Sequence, residues 1–378
     1  MKIVADEKIP LLQHYFGEQN NLILKNGRDL QKKDVLDADL LIVRSVTKVN
    51  ADLLQDTSVK WVGCVTTGSD HLDCEWLKRV NIPFYIAAGC NATAVVEYVI
   101  CVIAALQKLH FLNKPNQRAA VIGCGRIGSQ VVSILKKLGF EVLQCDPYRA
   151  QQEENFSHTP LQELCDLDLV LLHTPLTKQD IFPTYHMIDS LFLARQKRGC
   201  ILLSAGRGAV VNFSDLQRDK TSILCLDVWE NEPFIDLNIL NCALIATPHI
   251  AGHSIQSKYR AIEMVYNEAL IQGWLKHPIK KIPFPTRSID FENKKLTWQE
   301  IVLNIYDPTH TSYKLKTLMK ENNNESKNAF DFLRNQFNKD EFGSVYLKRL
   351  VVEELDYYFL KTLGFLIHVS NTKKLKGK

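Results

Sequence analysis

The fold is decided by Val121-Ile122-Gly123-Cys124-Gly125-Arg126-Ile127-Gly128, which ends an apolar run at residues 119–122 and opens a helical pattern at residues 129–138. In a Gly-x-Gly-x-x-Gly turn, the first glycine permits a tight turn, the second lets the backbone approach a pyrophosphate, and the third lets helix and strand pack closely. The free N–H groups at the start of the helix favour phosphate binding. The stretch therefore predicts a dinucleotide site. We assign to it Gly123, Gly125, Arg126, Ile127 and Gly128.

An acidic residue follows at the distance that such a site requires. The next apolar run, residues 141–145, ends at Asp146, which is 18 residues beyond Gly128 and close to the expected spacing of about 20 residues. A carboxylate at this point accepts hydrogen bonds from ribose hydroxyls and repels a 2′-phosphate, which predicts NAD rather than NADP. The alternative is a surface aspartate after an unrelated glycine turn. The agreement of strand, turn, helix and acid disfavours that alternative.

Short apolar runs alternate with helical patterns over most of the chain. They lie at residues 3–5, 40–43, 61–65, 84–87, 119–122, 141–145, 169–172, 201–203, 223–228 and 243–246. Such runs suit strands that are buried on both faces, and their alternation with helices predicts parallel βαβ units. The predicted fold class is α/β, with two Rossmann-like doubly wound parallel-sheet domains. A substrate (lid) domain is expected at residues 1–92 and 253–280, and an NAD-binding Rossmann domain at 93–252, beginning with a long buried helix.

The bulk composition excludes several classes of protein. The 378 residues exceed what one hydrophobic core organises, and a net charge of +4 gives no case for a nucleic-acid partner. The start of the chain lacks a long apolar segment, and no run reaches the roughly 20 apolar residues of a membrane helix. No two of the ten cysteines are spaced as CxxC, so we expect a reduced, cytoplasmic protein with no membrane partner. His71 between Asp70 and Asp73 fits a structural turn better than a metal site.

Three further segments lie at predicted strand ends, where α/β folds place ligands. They are Ser204-Ala205-Gly206-Arg207-Gly208, Asp227-Val228-Trp229-Glu230-Asn231-Glu232-Pro233 and Thr247-Pro248-His249-Ile250-Ala251-Gly252. An arginine binds a carboxylate in a bidentate way, and a histidine beside an acid takes the proton of a hydroxyl group. Alone, His249 would more often be a loop histidine with its hydrogen bonds satisfied, and Arg207 would equally be a surface charge. Together, they predict a site that oxidises a hydroxy acid.

These motifs, with His173-Thr174-Pro175-Leu176-Thr177, resemble the D-2-hydroxyacid dehydrogenase family over residues 1–277. The resemblance implies that Arg207, Glu232 and His249 form the catalytic trio. Glu232, next to the proline, matches the family's acid, whereas Glu230 does not. The resemblance also implies a second set of residues along the NAD site. This set comprises Thr174, Ala205, Gly206, Arg207, Asp227 and Gly252.

Other features are similar to a branch of this family whose substrate is a small hydroxy acid that also carries a phosphate. They are the loop at residues 43–50, the segment at residues 89–99, and a C-terminal extension with FDxLR at residues 330–334. The resemblance implies that residues 281–378 form a C-terminal α+β dimerisation domain of a homodimer. The expected substrate contacts are Arg44, Ser45, Thr66 and His253. For Ser45 and Thr66, plain turn chemistry is an equal alternative.

The chain departs from the branch at four places, one of which is a shortened surface stretch between Ser214 and Ile223. Ser204 stands where an asparagine is usual, and His253 stands where a tyrosine is usual. A basic stretch is replaced by Lys339-Asp340-Glu341, which weakens any role of that stretch at the substrate phosphate or at the partner subunit. Two alternatives remain at this point. One is a different family member, such as 3-phosphoglycerate dehydrogenase, and the other is a non-enzymatic NAD-sensing corepressor on the same fold.

Overall fold

The computed structural model of the protein describes residues 1–18, 20–219, 221–320, 324–367 and 373–375. The strands are β1 (Lys2–Asp6), β2 (Asn21–Lys25), β3 (Leu40–Val43), β4 (Trp61–Cys64), β5 (Phe84–Ile86), β6 (Arg118–Ile122), β7 (Glu141–Cys145), β8 (Leu169–Leu172), β9 (Ile201–Ser204), β10 (Ile223–Leu226), β11 (Ile245–Ala246), β12 (Arg287–Asp290), β13 (Val345–Lys348), β14 (Val351–Glu353), β15 (Leu366–Ile367) and β16 (Lys373–Leu375). The helices are α1 (Lys32–Val35), α2 (Ala51–Leu54), α3 (Cys74–Arg79), α4 (Ala92–Lys108), α5 (Gly128–Lys137), α6 (Pro147–Gln152), α7 (Ser190–Ala194), α8 (Phe213–Arg218), α9 (Leu237–Cys242), α10 (Ile255–Ile271), α11 (Trp298–Ile305), α12 (Pro308–Leu318), α13 (Asn324–Gln336) and α14 (Glu354–Thr362).

The chain divides into two units that each contain segments distant in sequence. The first unit comprises Met1–Asn91 and Ser254–Thr286, and the second comprises Ala92–His253 and Arg287–Lys378. In this division the C-terminal residues group with the segment that is predicted to bind NAD. The predicted domain bounds, with a separate C-terminal domain, stay a prediction.

The first unit is built on a five-stranded parallel sheet with the order β2-β1-β3-β4-β5. Strands β3 and β4 are buried along their whole length, because apolar layers cover both faces of the sheet. One layer includes Ala261, Ile262 and Val265 from α10, which returns to this unit from far along the chain. Strand β2 was not predicted, because its side chains are exposed or half-buried and it lies at the sheet edge.

The second unit carries a six-stranded parallel sheet with the order β11-β10-β9-β8-β6-β7. The strand order reverses between β6 and β8, and ligands of such sheets bind outside the carboxyl ends of the strands at this switch point. The glycine turn follows β6, and the other predicted site segments follow β8, β9, β10 and β11. The α/β fold class with parallel sheets is therefore confirmed.

The C-terminal segment joins the second unit through a continuous apolar core. Helix α4 is buried along nearly its whole length, as expected for residues 92–109. The cluster that contains α4 continues into Trp298, Ile301, Phe342 and Leu360 of the C-terminal segment. This shared core explains why residues 287–378 do not separate as a third unit. Two small parallel sheets, β12-β13-β15 and β14-β16, complete this segment. Among the described residues, no helix is both long enough and apolar enough to span a membrane.

Candidate active site

The glycine turn after β6 has the geometry that the sequence predicts. Gly123 has φ 88°, and a Cβ atom there would lie 2.8 Å from the backbone carbon of His173. A Cβ atom on Gly128, the first residue of α5, would lie 2.0 Å from the carbonyl oxygen of Gly123. Any larger residue at these positions would push the turn away from the strand or the helix. Ile127 is the N-cap residue of α5, and Arg126 is exposed beside it.

The surroundings of the turn fit a bound dinucleotide. A Cβ atom on Gly125 would meet nothing within 4 Å, so the backbone there faces open space. At the carboxyl ends of β8 and β9, several buried side-chain atoms have no hydrogen-bond partner within the described chain. They are both ring nitrogens of His173, the hydroxyl of Thr174 and the hydroxyl of Ser204. Burial lowers the pKa of His173 to about 4, which keeps its imidazole neutral. Buried polar atoms normally have partners, so this group points to a polar ligand.

Asp146 lies where a carboxylate can meet both the turn and a ribose. It is the N-cap residue of α6, and its Oδ1 accepts a hydrogen bond from the backbone N–H of Arg149 at 3.1 Å. Its Oδ2 accepts from the N–H of Cys124, inside the glycine turn, at 2.9 Å. A carboxylate has about four acceptor positions, so two protein bonds leave room for ribose hydroxyls.

Replacing Asp146 by alanine is expected to relax the preference for NAD over NADP. The substitution removes the negative charge that repels a 2′-phosphate and the acceptor for the ribose hydroxyls. The ratio of kcat/KM with NAD to kcat/KM with NADP measures the effect. An unchanged ratio, in a variant that still binds NADH, would assign cofactor choice to other residues.

Glu232 and His249 form a closely paired acid and base. Oε2 of Glu232 lies 2.7 Å from Nδ1 of His249, and Oε1 accepts a hydrogen bond from the backbone N–H of Trp229 at 2.8 Å. Burial pushes the pKa of Glu232 up, but the charge and hydrogen bond of His249 outweigh it, so the pKa lies below the ordinary value. The carboxylate is therefore ionised at neutral pH. It fixes one ring nitrogen of His249 and leaves the other for chemistry.

Asp227, expected along the NAD site, holds the loop that carries His249. Its carboxylate is buried and accepts hydrogen bonds from the Thr247 hydroxyl at 2.6 Å and from the N–H groups of Ile250 and Ala251 at 2.8 and 2.9 Å. Burial raises the pKa of Asp227, and these bonds together with the charge of His249 oppose the rise. The backbone carbonyl of Asp227 also accepts from the N–H of His249 at 2.7 Å. Asp227 therefore keeps His249 in its left-handed conformation, at φ 54°.

Two residues to which the sequence assigned no role, Tyr98 and Trp229, support the same loop. The Tyr98 hydroxyl, on α4, lies 2.7 Å from the Thr247 hydroxyl. The indole N–H of Trp229 donates to the carbonyl of Thr247 at 2.9 Å. The sequence showed Thr247 only as a member of the segment 247–252, and no spacing rule links it to Tyr98.

Arg207 stands in the loop after β9, next to the strand that leads to Asp227. Its Nη1 donates to the carbonyl of Gly206 at 3.0 Å, and its side chain is half-buried. Gly206 lies against the loop after β8, since a Cβ atom there would be 2.9 Å from the carbonyl of Thr174. Ala205 precedes it, and Gly252 follows the His249 loop. The predicted cofactor and catalytic residues of this unit thus lie on loops at the carboxyl ends of neighbouring strands.

Three of the expected substrate contacts lie in the first unit, in the loops after β3 and β4. Arg44 forms an ion pair with the buried Asp6 at 2.8 Å. Ser45 is exposed in a turn. The Thr66 hydroxyl lies 3.0 Å from Sγ of Cys64 and donates to the Gly68 carbonyl at 3.3 Å, so it also serves the turn.

Two further histidines were interpreted from the sequence: His253 as a substrate contact and His71 as part of a structural turn. The N–H of His253, in the second unit, donates to the Ile250 carbonyl at 2.8 Å. Nε2 of His71 lies 3.3 Å from Sγ of Cys64, and burial lowers the pKa of His71 to about 4. This environment fits the structural interpretation of His71.

Comparison with known proteins places this site in a family. Residues 104–251 match the family model described as "D-isomer specific 2-hydroxyacid dehydrogenase, NAD binding domain". The solved structure of a D-lactate dehydrogenase from Aquifex aeolicus, complexed with NAD and lactic acid, is 25% identical, with a TM-score of 0.59 over 75% of this chain and 100% of that one. The fold and site thus define an NAD-dependent oxidoreductase of the D-2-hydroxyacid dehydrogenase class.

Relatives over the full length narrow the assignment. The chain is 40% identical over 370 residues to the erythronate-4-phosphate dehydrogenase of Coxiella burnetii (strain RSA 331 / Henzerling II), covering 96% of this chain and all of the relative. It is 38% identical over 353 residues to the protein of the same name from Marinobacter nauticus, covering 89% and 91%. The chain therefore belongs to the erythronate-4-phosphate dehydrogenase family.

Proposed function

We propose that the chain oxidises 4-phospho-D-erythronate at C2 to (R)-3-hydroxy-2-oxo-4-phosphobutanoate, with NAD as the electron acceptor, in pyridoxal 5′-phosphate (vitamin B6) biosynthesis. The observation that carries the proposal is the Glu232–His249 pair, at 2.7 Å, in a chain that matches relatives of this name along nearly its whole length. The pair supplies the base that oxidation of a hydroxyl group requires.

The proton chemistry follows from the pair. Because Glu232 occupies Nδ1 of His249, Nε2 is the atom that accepts the proton of the C2 hydroxyl as the C=O bond forms. The ionised Glu232 stabilises the resulting imidazolium. NAD, when bound, supplies the acceptor for the hydride that leaves C2. Residues of the glycine turn, with Asp146 and Thr174, would hold the cofactor.

The two anionic ends of the substrate need separate cations. Arg207 can bind the carboxylate in a bidentate way, because its guanidinium stands on the loop beside the Glu232 segment. Arg44, half-exposed beside Asp6, is proposed as a second anchor. Ser45, Thr66 and His253 are proposed as hydrogen-bond donors.

The C-terminal segment, residues 281–378, is proposed to form the interface of a homodimer. Large apolar side chains are exposed on its helices, notably Tyr313 at 73%, Leu355 at 84% and Tyr358 at 55%. Leu355 and Tyr358 lie three residues apart on α14, so they share one face of that helix. Exposed apolar side chains that lie together favour contact with another protein surface. All ten cysteines are free, which supports a cytoplasmic location.

The test of the function is NADH fluorescence after mixing the protein with NAD and 4-phospho-D-erythronate, with 3-phospho-D-glycerate and D-lactate as parallel substrates. A 2-oxo acid acceptor is added in a second series, so that retained NADH is recycled and turnover remains visible. We expect NADH formation with 4-phospho-D-erythronate alone. Formation with a control substrate instead would keep the family and refute the substrate. No turnover in a protein that binds NADH would favour a sensor.

A further inference from the structure

Residues 186–188 run beside the segment that follows the Arg207 loop. The N–H of His186 donates to the carbonyl of Ala209 at 2.8 Å, and the N–H of Ile188 donates to that of Val210 at 3.1 Å. These bonds attach the backbone of His186 to the chain two residues beyond Arg207. His186 has φ 53°, a conformation that few side chains adopt and that these bonds maintain.

The side chain of His186 reaches a different loop, the one that carries Glu232. Its Nε2 lies 2.8 Å from Oε1 of Glu230, two residues before Glu232. Both side chains are largely buried, with 26% and 22% of their surface exposed. The ring of Tyr185 stacks on the imidazole, with centroids 3.9 Å apart and an angle of 17° between the planes. The stacking restricts the ring to an orientation in which it can meet Glu230.

The two loops are also in direct backbone contact. A Cβ atom on Gly208 would lie 2.0 Å from the carbonyl of Trp229 and 2.6 Å from the nitrogen of Glu230. The backbone of residues 207–208 is therefore pressed against the backbone of residues 229–230. His186 also connects these two loops. Its backbone N–H binds the carbonyl of Ala209, and its ring contacts the carboxylate of Glu230.

We propose that His186 is a positioning residue, which through Glu230 fixes the loop that carries Glu232 against the loop that carries Arg207. Glu230 was the acid of the segment that matched no family role, and the proposed proton chemistry does not use it. The kinetic part of this inference rests on the proposed function.

His186 and Glu230 affect the reaction through the short contacts of Glu232, which tolerate little displacement. Glu232 contacts His249 at 2.7 Å and the N–H of Trp229 at 2.8 Å. Trp229 and Glu232 flank Glu230, so release of Glu230 frees the centre of the segment. Misplacement of a reacting group by about 1 Å lowers rates by up to about 100-fold. The acid–base pair of the active site therefore depends on a second histidine–glutamate pair beside it.

The kinetic test compares His186→Ala, Glu230→Ala and the double variant. We expect each single variant to lower kcat by about 10- to 100-fold, while the NADH dissociation constant stays within about twofold, because neither residue lies at the glycine turn. The double variant should be no slower than the slower single variant, because both remove one interaction. His186→Gln should restore much of kcat, since its amide can donate to Glu230. Multiplying effects in the double variant, or wild-type kcat in the single variants, would refute the proposal.

A second measurement needs no substrate. Amide hydrogen exchange at Trp229 reports the bond to Glu232 directly, and it should be faster in His186→Ala and Glu230→Ala than in the wild type. His110→Ala is the matched control, because His110 shares the left-handed backbone, at φ 65°, but is exposed. Unchanged exchange in the His186 and Glu230 variants would overturn the positioning role. If the wild type gave no turnover with 4-phospho-D-erythronate, the proposed function would fail and amide exchange alone would decide the inference.

Discussion

Replacing His249 by alanine is expected to lower turnover by roughly 10²–10⁴-fold, the usual span for loss of a positioned acid–base group. The effect should be large because Glu232 holds one ring nitrogen at 2.7 Å and Asp227 holds the backbone of the same loop. The rate of NADH formation under saturating substrate and NAD measures it. NADH binding should persist, because the glycine turn and Asp146 are untouched.

Two further variants separate lost chemistry from a disturbed loop. His249→Asn keeps a residue type that tolerates the left-handed backbone, yet it removes the base, so it should be as slow as His249→Ala. His110→Ala introduces alanine at a left-handed position away from the proposed chemistry and should turn over at the wild-type rate. Near-wild-type turnover in His249→Asn would remove His249 from the mechanism.

The strands were predictable where burial dictates composition. Runs such as residues 169–172 are apolar throughout, because both sheet faces are covered, and they became β8 and its neighbours. Strand β2 was missed because an edge strand with exposed and half-buried positions carries no such run. The packing of the C-terminal segment against α4 was not predicted either. That packing depends on which apolar faces meet, which residue order does not specify.

The sequence predicts a set of site residues but not the contacts between them. The glycine spacing predicts the dinucleotide turn, because local chain geometry determines that motif. The trio Arg207, Glu232 and His249 was implied by the family resemblance of the ordered motifs. The bond between His186 and Glu230 joins residues 44 positions apart, and no spacing rule links them. The contacts of Asp227 were likewise not predicted. It was expected along the NAD site, and the structure shows that its buried carboxylate binds the His249 loop. Such bonds follow from the sheet order, which brings distant loops together.

Lys339, at one of the places where the chain departs from the family pattern, forms a buried ion pair. The sequence suggested that Lys339-Asp340-Glu341 weakens a role of this stretch. In the structure, Nζ of Lys339 lies 3.2 Å from Oε2 of Glu97 on α4, and the two side chains are 2% and 4% exposed. Oε1 of Glu97 also accepts from the N–H of Phe342 at 2.7 Å. The stretch therefore joins the C-terminal segment to the long buried helix.

Replacing Lys339 by methionine is expected to lower the free energy of unfolding by about 3–5 kcal/mol, since it leaves the buried Glu97 without its cation. Denaturant unfolding at neutral pH measures the loss. The double variant with Glu97→Gln should recover much of it, because a glutamine needs no counter-charge and can still accept from Phe342. Lys295→Met is the matched control. Lys295 pairs with Glu353 at 2.6 Å on the surface of the same unit, and its loss should cost less than about 1 kcal/mol.

The loss should also depend on pH in a defined direction. Burial raises the pKa of Glu97 from 4.5 to about 7, against the charge of Lys339 and with the help of Glu341. Between these values the folded protein holds a proton that the unfolded chain has released, so this group lowers stability as the pH rises. Without Lys339 the pKa of Glu97 rises further, and the decline continues to higher pH. The deficit of Lys339→Met relative to the wild type should therefore be larger at about pH 8.5 than at about pH 5.5. An equal deficit at both would mean that packing, and not the charge of Glu97, sets the cost.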